Sequence, residues 1–163
     1  MADGGASTFI MLITGLLISS SVSALLITEW SAMARAAQKT QQGITFAGEV
    51  GLDFAGDPMM VDVDTTGTTP SITFYLQNTG IHPLDEQVVF VLVNGDSPTS
   101  VSATITGTTW DPNELAEIVI EDTSYGTTPF ATGDDVQLYA LVTTEVVSGI
   151  SSSASMNVEV RLS

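Results

Sequence analysis

Between Asp3 and Glu29 the chain carries no charged side chain. Within that interval Phe9 to Ile27 reads FIMLITGLLISSSVSALLI, 19 residues, close to the roughly 20 that cross a bilayer core as a helix. A backbone in lipid must satisfy its own hydrogen bonds, so a helix is the form such a segment takes. Gly15 and Ser19 stand four apart, a small-xxx-small spacing that lets helices approach closely. Two other readings compete with a retained membrane helix. A secretory signal normally has a basic n-region and a shorter apolar core, and no Lys or Arg precedes Phe9. A core helix that is apolar all round needs a larger protein around it than this one.

The helix is expected to outrun the membrane. Glu29 to Gln42 reads EWSAMARAAQKTQQ, mostly good helix formers, and Gly43 is the expected stop. Ser7 to Gln42 then makes one helix of about 54 Å, whose second half projects beyond the bilayer. Trp30 stands either as an interfacial anchor or as a packing residue against the following domain. Arg35 and Lys39, the basic residues near the span, place its C-terminal side in the cytoplasm by the positive-inside rule. The composition beyond them argues for the opposite orientation.

All but two of the 19 acidic residues lie after residue 40, where Arg161 is the one basic residue. This segment, taken as a domain over 43–163 after a helical unit over 1–42, is rich in Thr, Ser, Gly, Val and Ile. Its apolar residues alternate in short runs bounded by Gly, Pro, Asn and Asp, the pattern of strands and turns. Ser71–Gln77 alternates Ile72, Phe74 and Leu76 and closes on Asn78-Thr79-Gly80. Gln87–Val93 is a buried strand closing on Asn94-Gly95-Asp96. Val101–Ile105, Leu115–Ile120, Val136–Val142 and Met156–Leu162 follow, with Trp110 to Asn113 as a turn, and Phe46–Phe54 and Met59–Val63 add one or two more. Seven or eight strands at this spacing predict an α+β chain: a long N-terminal transmembrane and assembly helix, then an antiparallel immunoglobulin-like β-sandwich. A closed barrel is the alternative. With no Cys in the chain, a disulfide framework and thiol chemistry are excluded.

A net charge of −16 removes the basic footprint that nucleic-acid binding needs. Low Lys with high Asp, Glu and Thr suits a protein working in concentrated salt or acid, where screening offsets self-repulsion. No nucleophile elbow, P-loop, dinucleotide fingerprint or zinc-protease motif occurs. The single His, His82, lies in the turn Gly80-Ile81-His82-Pro83-Leu84 and reads as a solvated turn residue. The pairs Asp62/Asp64 and Asp134/Asp135 offer oxygens to a divalent cation but lack the spacing of an EF-hand loop, and read as solvated strand ends. No enzyme, cofactor or metal site is expected.

An apolar helix that exposes small residues can bundle with copies of itself, and a head-to-tail contact that does not close gives a filament. Phe9, Leu12, Leu16, Ser19, Ser23, Leu26 and Trp30, at three-to-four residue spacing on one side, together with Gly15, are the candidate assembly residues.

The layout resembles the archaellin and type IV pilin-like proteins of archaea. The stretch Ile72 to Gly95, ITFYLQNTGIHPLDEQVVFVLVNG, is similar to the sandwich core of that superfamily. The Trp110-Asp111-Pro112 turn and the strand after it resemble the accessory archaellum proteins ArlG and ArlF, also called FlaG and FlaF. The resemblance implies a stator of the archaellum motor outside the cytoplasmic membrane, in which ArlG-like subunits polymerise and ArlF-like subunits contact the S-layer. The implied partners are further copies of the chain, other stator subunits and the S-layer protein, with the membrane met through residues 9–27. Major archaellins instead form the rotating filament. Class III signal peptides of that group place basic residues and a Gly before the apolar helix, whereas only Met1-Ala2-Asp3-Gly4-Gly5-Ala6 leads in here. That departure favours an ArlG-like accessory subunit over a processed archaellin or pilin. A membrane-anchored binding protein for a solute or cation is the expectation from another class.

Overall fold

A computed structural model describes residues 3–65, 69–122, 131–147 and 149–163. The chain divides into two compact units, Met1–Gln42 and Gly43–Ser163. The first is helical throughout its described length. Helix α1 runs Asp3–Gly48, so its last residues belong to the second unit. It starts earlier than Ser7 and passes through Gly43, the expected stop. The reason for the extension is local to the second unit: Phe46, one turn on, is buried there at 8% exposure, and tertiary packing outweighs the roughly 1 kcal/mol helix penalty of one glycine. The strand expected from Phe46 therefore begins only at Leu52.

The second unit carries eight strands, β1 (Leu52–Ala55), β2 (Asp62–Asp64), β3 (Ser71–Asn78), β4 (Leu84–Val93), β5 (Ser100–Ile105), β6 (Leu115–Glu121), β7 (Asp135–Thr144) and β8 (Ser153–Arg161). All strand pairs are antiparallel. One sheet has the order β1-β3-β6-β5, with β2 also pairing β3, and the other has the order β4-β7-β8. The run Met59–Val63 yields only the short β2, because Met59 and Met60 are exposed and Val61 forms a parallel bridge to Leu162.

Period-two alternation fixes which side chains face inward. Ile72, Phe74 and Leu76 of β3, Ala116, Ile118 and Ile120 of β6, and Val136, Leu138, Ala140 and Val142 of β7 are all buried, and with Trp110 they form one continuous core. Two isolated bridges lie at the margins, Leu84 of β4 to Trp110 in the β5–β6 connection and Val61, just ahead of β2, to Leu162, just after β8. The result is a sandwich of two antiparallel sheets rather than a closed barrel. At the end of β4 the chain reverses through Asn94 (φ 52°) and Gly95 (φ 90°), closed by paired backbone bonds of 2.9 Å between Val93 and Asp96. Two successive positive φ values are what an Asn-Gly turn of this kind requires.

Candidate assembly surface

The eight candidate assembly residues all lie on α1, and every one of them is exposed. The large ones stand well clear of cover, from 54% for Leu26 to 74% for Trp30. A Cβ placed on Gly15 meets nothing within 4 Å. The apolar surface is wider than the expected stripe. Ile10, Met11, Leu17, Leu25 and Ile27 on the remaining sides are exposed as well, and none of the helix's most apolar 18-residue window is buried. A surface that is apolar all round must be covered by lipid or by other helices.

The hydroxyls in this stretch are compatible with such cover. Thr14 Oγ1 donates to the Ile10 carbonyl at 2.8 Å, Ser20 Oγ to Leu17 at 3.0 Å, Ser21 Oγ to Ile18 at 2.9 Å and Ser23 Oγ to Ser19 at 2.8 Å. These four donors are satisfied by their own helix, so covering them with apolar material leaves none of the four orphaned. The helix is thus long and apolar enough to cross a membrane, with four of its hydroxyls bonded within it.

In the second unit, the end of α1 is tied to the turn that follows β3. The Phe46 and His82 rings stack with centroids 4.2 Å apart, and His82 Nε2 lies 2.9 Å from Glu49 Oε2. The Ile81 amide donates to the Glu49 carbonyl at 3.0 Å and the Thr79 amide to the Gly51 carbonyl at 3.1 Å. The backbones come so close that a Cβ on Gly80 would sit 2.6 Å from the Gly51 nitrogen, which leaves glycine as the residue that fits. His82 is therefore not the solvated turn residue its context suggests, since its partner Glu49 is 33 residues distant in sequence and the turn gives no sign of it.

Asn78 organises the same turn and was legible only as a turn former. It is fully buried. Its Nδ2 donates to the His82 carbonyl at 2.9 Å and the Trp110 carbonyl at 3.0 Å, and its Oδ1 accepts from the Gly80 amide at 3.0 Å. These bonds hold the β3–β4 crossing against the Trp110 turn, so the group is structural.

Of the acidic pairs, Asp62 and Asp64 are exposed on β2. Asp134 Oδ2 accepts from the Ala131 amide at 2.9 Å, and Asp135 stands 3.9 Å from Arg161. Among the described residues no three Asp, Glu or His side chains gather as a metal site would require.

No curated protein matches the chain. Among solved structures, a crystal structure of the yeast GGA1 GAE domain is similar at 14% identity, over 67% of this chain and 97% of that one, with a TM-score of 0.30. A family model described as archaeal-type flagellin matches residues 2–160. That match begins ahead of the apolar helix and ends inside the last strand, so by its whole architecture the chain belongs to the archaeal-type flagellin family, whose members are structural proteins rather than enzymes.

Proposed function

We propose that this chain is a non-enzymatic structural subunit of the archaellum machinery that polymerises through its N-terminal helix. The observation that carries the reading is the fully exposed apolar stretch of α1, in a chain that matches the flagellin family from end to end. Residues 9–27 hold the subunit in the cell membrane, and the sandwich stands on the extracytoplasmic side. On assembly, Phe9, Leu12, Gly15, Leu16, Ser19, Ser23, Leu26 and Trp30 exchange lipid for neighbouring helices. Close approach at Gly15 and Ser19 supports that exchange, because dispersion contacts drive association where lipid removes the hydrophobic term.

Within this frame the role is that of an ArlG-like stator subunit, which links the motor to the cell envelope. The Trp110-Asp111-Pro112 turn supports it through its likeness to the accessory archaellum proteins. A second reading, an archaellin of the filament itself, is favoured by the description of the matching family. Fractionation of cells producing a tagged chain separates them. A stator subunit stays with the cell envelope when filaments are sheared off, and its deletion leaves filaments that do not turn. Recovery of the tag as a main component of sheared filaments overturns the stator role in favour of the filament subunit.

A further inference from the structure

The two sheets of the sandwich present unlike outer faces. On the five-stranded sheet the exposed Tyr75 of β3 and Leu115 of β6 stand among carboxylates, Asp53 of β1, Asp62 and Asp64 of β2, and Glu117 and Glu121 of β6. On the three-stranded sheet the outward positions include Val88, Phe90 and Leu92 of β4 and Tyr139 and Leu141 of β7. Phe90 pairs across the strands with Leu141, and Leu92 with Tyr139. Val88 and Phe90 are 48% and 46% exposed. The remaining outward positions over 137–143 and 153–157 are uncharged as well. Carboxylates return only at the margins, as Glu86, as Glu159, and as Asp135 beside Arg161.

A face whose centre is uncharged, and apolar across β4 and β7, is out of keeping with a chain of net charge −16, and an apolar patch rimmed by polar residues marks an interaction site. β4 is also an edge strand of its sheet, and after Glu86 it carries none of the charge that ordinarily protects such a margin. Two copies of so acidic a chain repel over most of their surface, and covering a carboxylate carries a desolvation penalty. The centre of the outer face of the three-stranded sheet is where two copies can meet at the least of both costs.

We propose that the outer face of β4-β7-β8 is the contact through which each sandwich docks on the sandwich of a second copy in the assembled state. The inference rests on the reading of the chain as a self-assembling subunit. Its occupant is another copy because the charge distribution that excludes self-contact elsewhere on the sandwich excludes it least here.

The test uses the full chain, reconstituted from detergent and followed by sedimentation and electron microscopy. With no native Cys, a Val88→Cys variant labelled with a maleimide benzophenone reports what lies against this face on illumination. The expected result is a cross-link to residues 43–163 of a second copy, and none from Ser102→Cys on the opposite sheet. Phe90→Glu is expected to lower the assembled fraction roughly tenfold, as loss of an aromatic anchor at a contact centre does, while Ser102→Glu leaves it unchanged. If wild type assembles, but the Val88 label reaches only solvent, the helix of a neighbour or a different protein, the docking inference is overturned and the assembly reading stands. If wild type forms no assembly at all, both fall. Should Phe90→Glu fail to fold, the Val88 cross-link still decides.

Discussion

The imidazole of His82 lies against the ring of Phe46 with centroids 4.2 Å apart and planes 25° from parallel. Phe46 is a residue of α1 and His82 belongs to the turn after β3, so the stack joins the last turn of the helix to the sandwich of which it is part. Replacing Phe46 with Ala removes a buried ring and leaves a cavity that the close-packed turn fills poorly. The expected loss is about 3 kcal/mol, the lower end for a core Phe→Ala change. His82→Ala costs less, about 1 kcal/mol, because it removes one partly exposed bond and a partial stack. Urea unfolding of the detergent-solubilised chain, read through the buried Trp110, orders the two. A Phe46→Ala loss below that of His82→Ala counts against the joint as described.

Asn78 is a sharper test, because its two ends do opposite work. The amide nitrogen donates to two carbonyls while the oxygen accepts from an amide. Asn78→Ala abandons all three buried groups and is expected to cost about 3 kcal/mol. Asn78→Asp keeps the shape but sets a carboxylate oxygen against the His82 and Trp110 carbonyls, so it should be at least as damaging. If the Asp variant is as stable as wild type in thermal unfolding, the assignment of donor and acceptor at this turn is wrong.

Salt should stabilise the sandwich. Nearly all of the chain's acidic residues lie in the second unit with a single Arg, so screening relieves self-repulsion in the folded state more than in the expanded one. Raising NaCl from 0.1 M to 1 M shortens the Debye length from about 10 Å to about 3 Å, and the midpoint of thermal unfolding should rise. A flat or falling midpoint would show that the outer carboxylates are spaced widely enough not to repel.

The strands were readable because each placed alternate apolar residues between strong turn formers. Ile72, Phe74 and Leu76 against Ser71, Thr73 and Tyr75 leave one register in which a face is dry, and the Asn94-Gly95 pair names its own turn. What escaped the sequence depended on distant partners. Nothing near Gly43 says that Phe46 will be buried and carry the helix onward to Gly48. Nothing near His82 points to Glu49. The uncharged centre of the outer β4-β7-β8 face was invisible until pairing aligned Phe90 with Leu141 and Leu92 with Tyr139, since β4 and β7 alone each look like an ordinary buried run. On α1 the small-residue spacing of Gly15 and Ser19 was plain, but apolarity on every side means that periodicity alone does not narrow the contact to one stripe.

Gly15 and Ser19 allow the assembly reading to be separated from effects on the single chain. A side chain added at Gly15 meets open space in the monomer, and Leu is the better helix former by nearly 1 kcal/mol. Gly15→Leu and Ser19→Leu should therefore keep the helix intact and insert into membranes as well as wild type or better, since Leu favours the bilayer. Their effect falls where two helices meet. A bulky γ-branched side chain holds the backbones apart and removes the close contact that small residues permit. Electron microscopy of the reconstituted variants should show few or short assemblies beside those of wild type, with membrane partitioning undiminished. Normal assembly by both variants would move the contact to another side of α1, and a loss of membrane partitioning along with assembly would show that insertion, rather than packing, had been impaired.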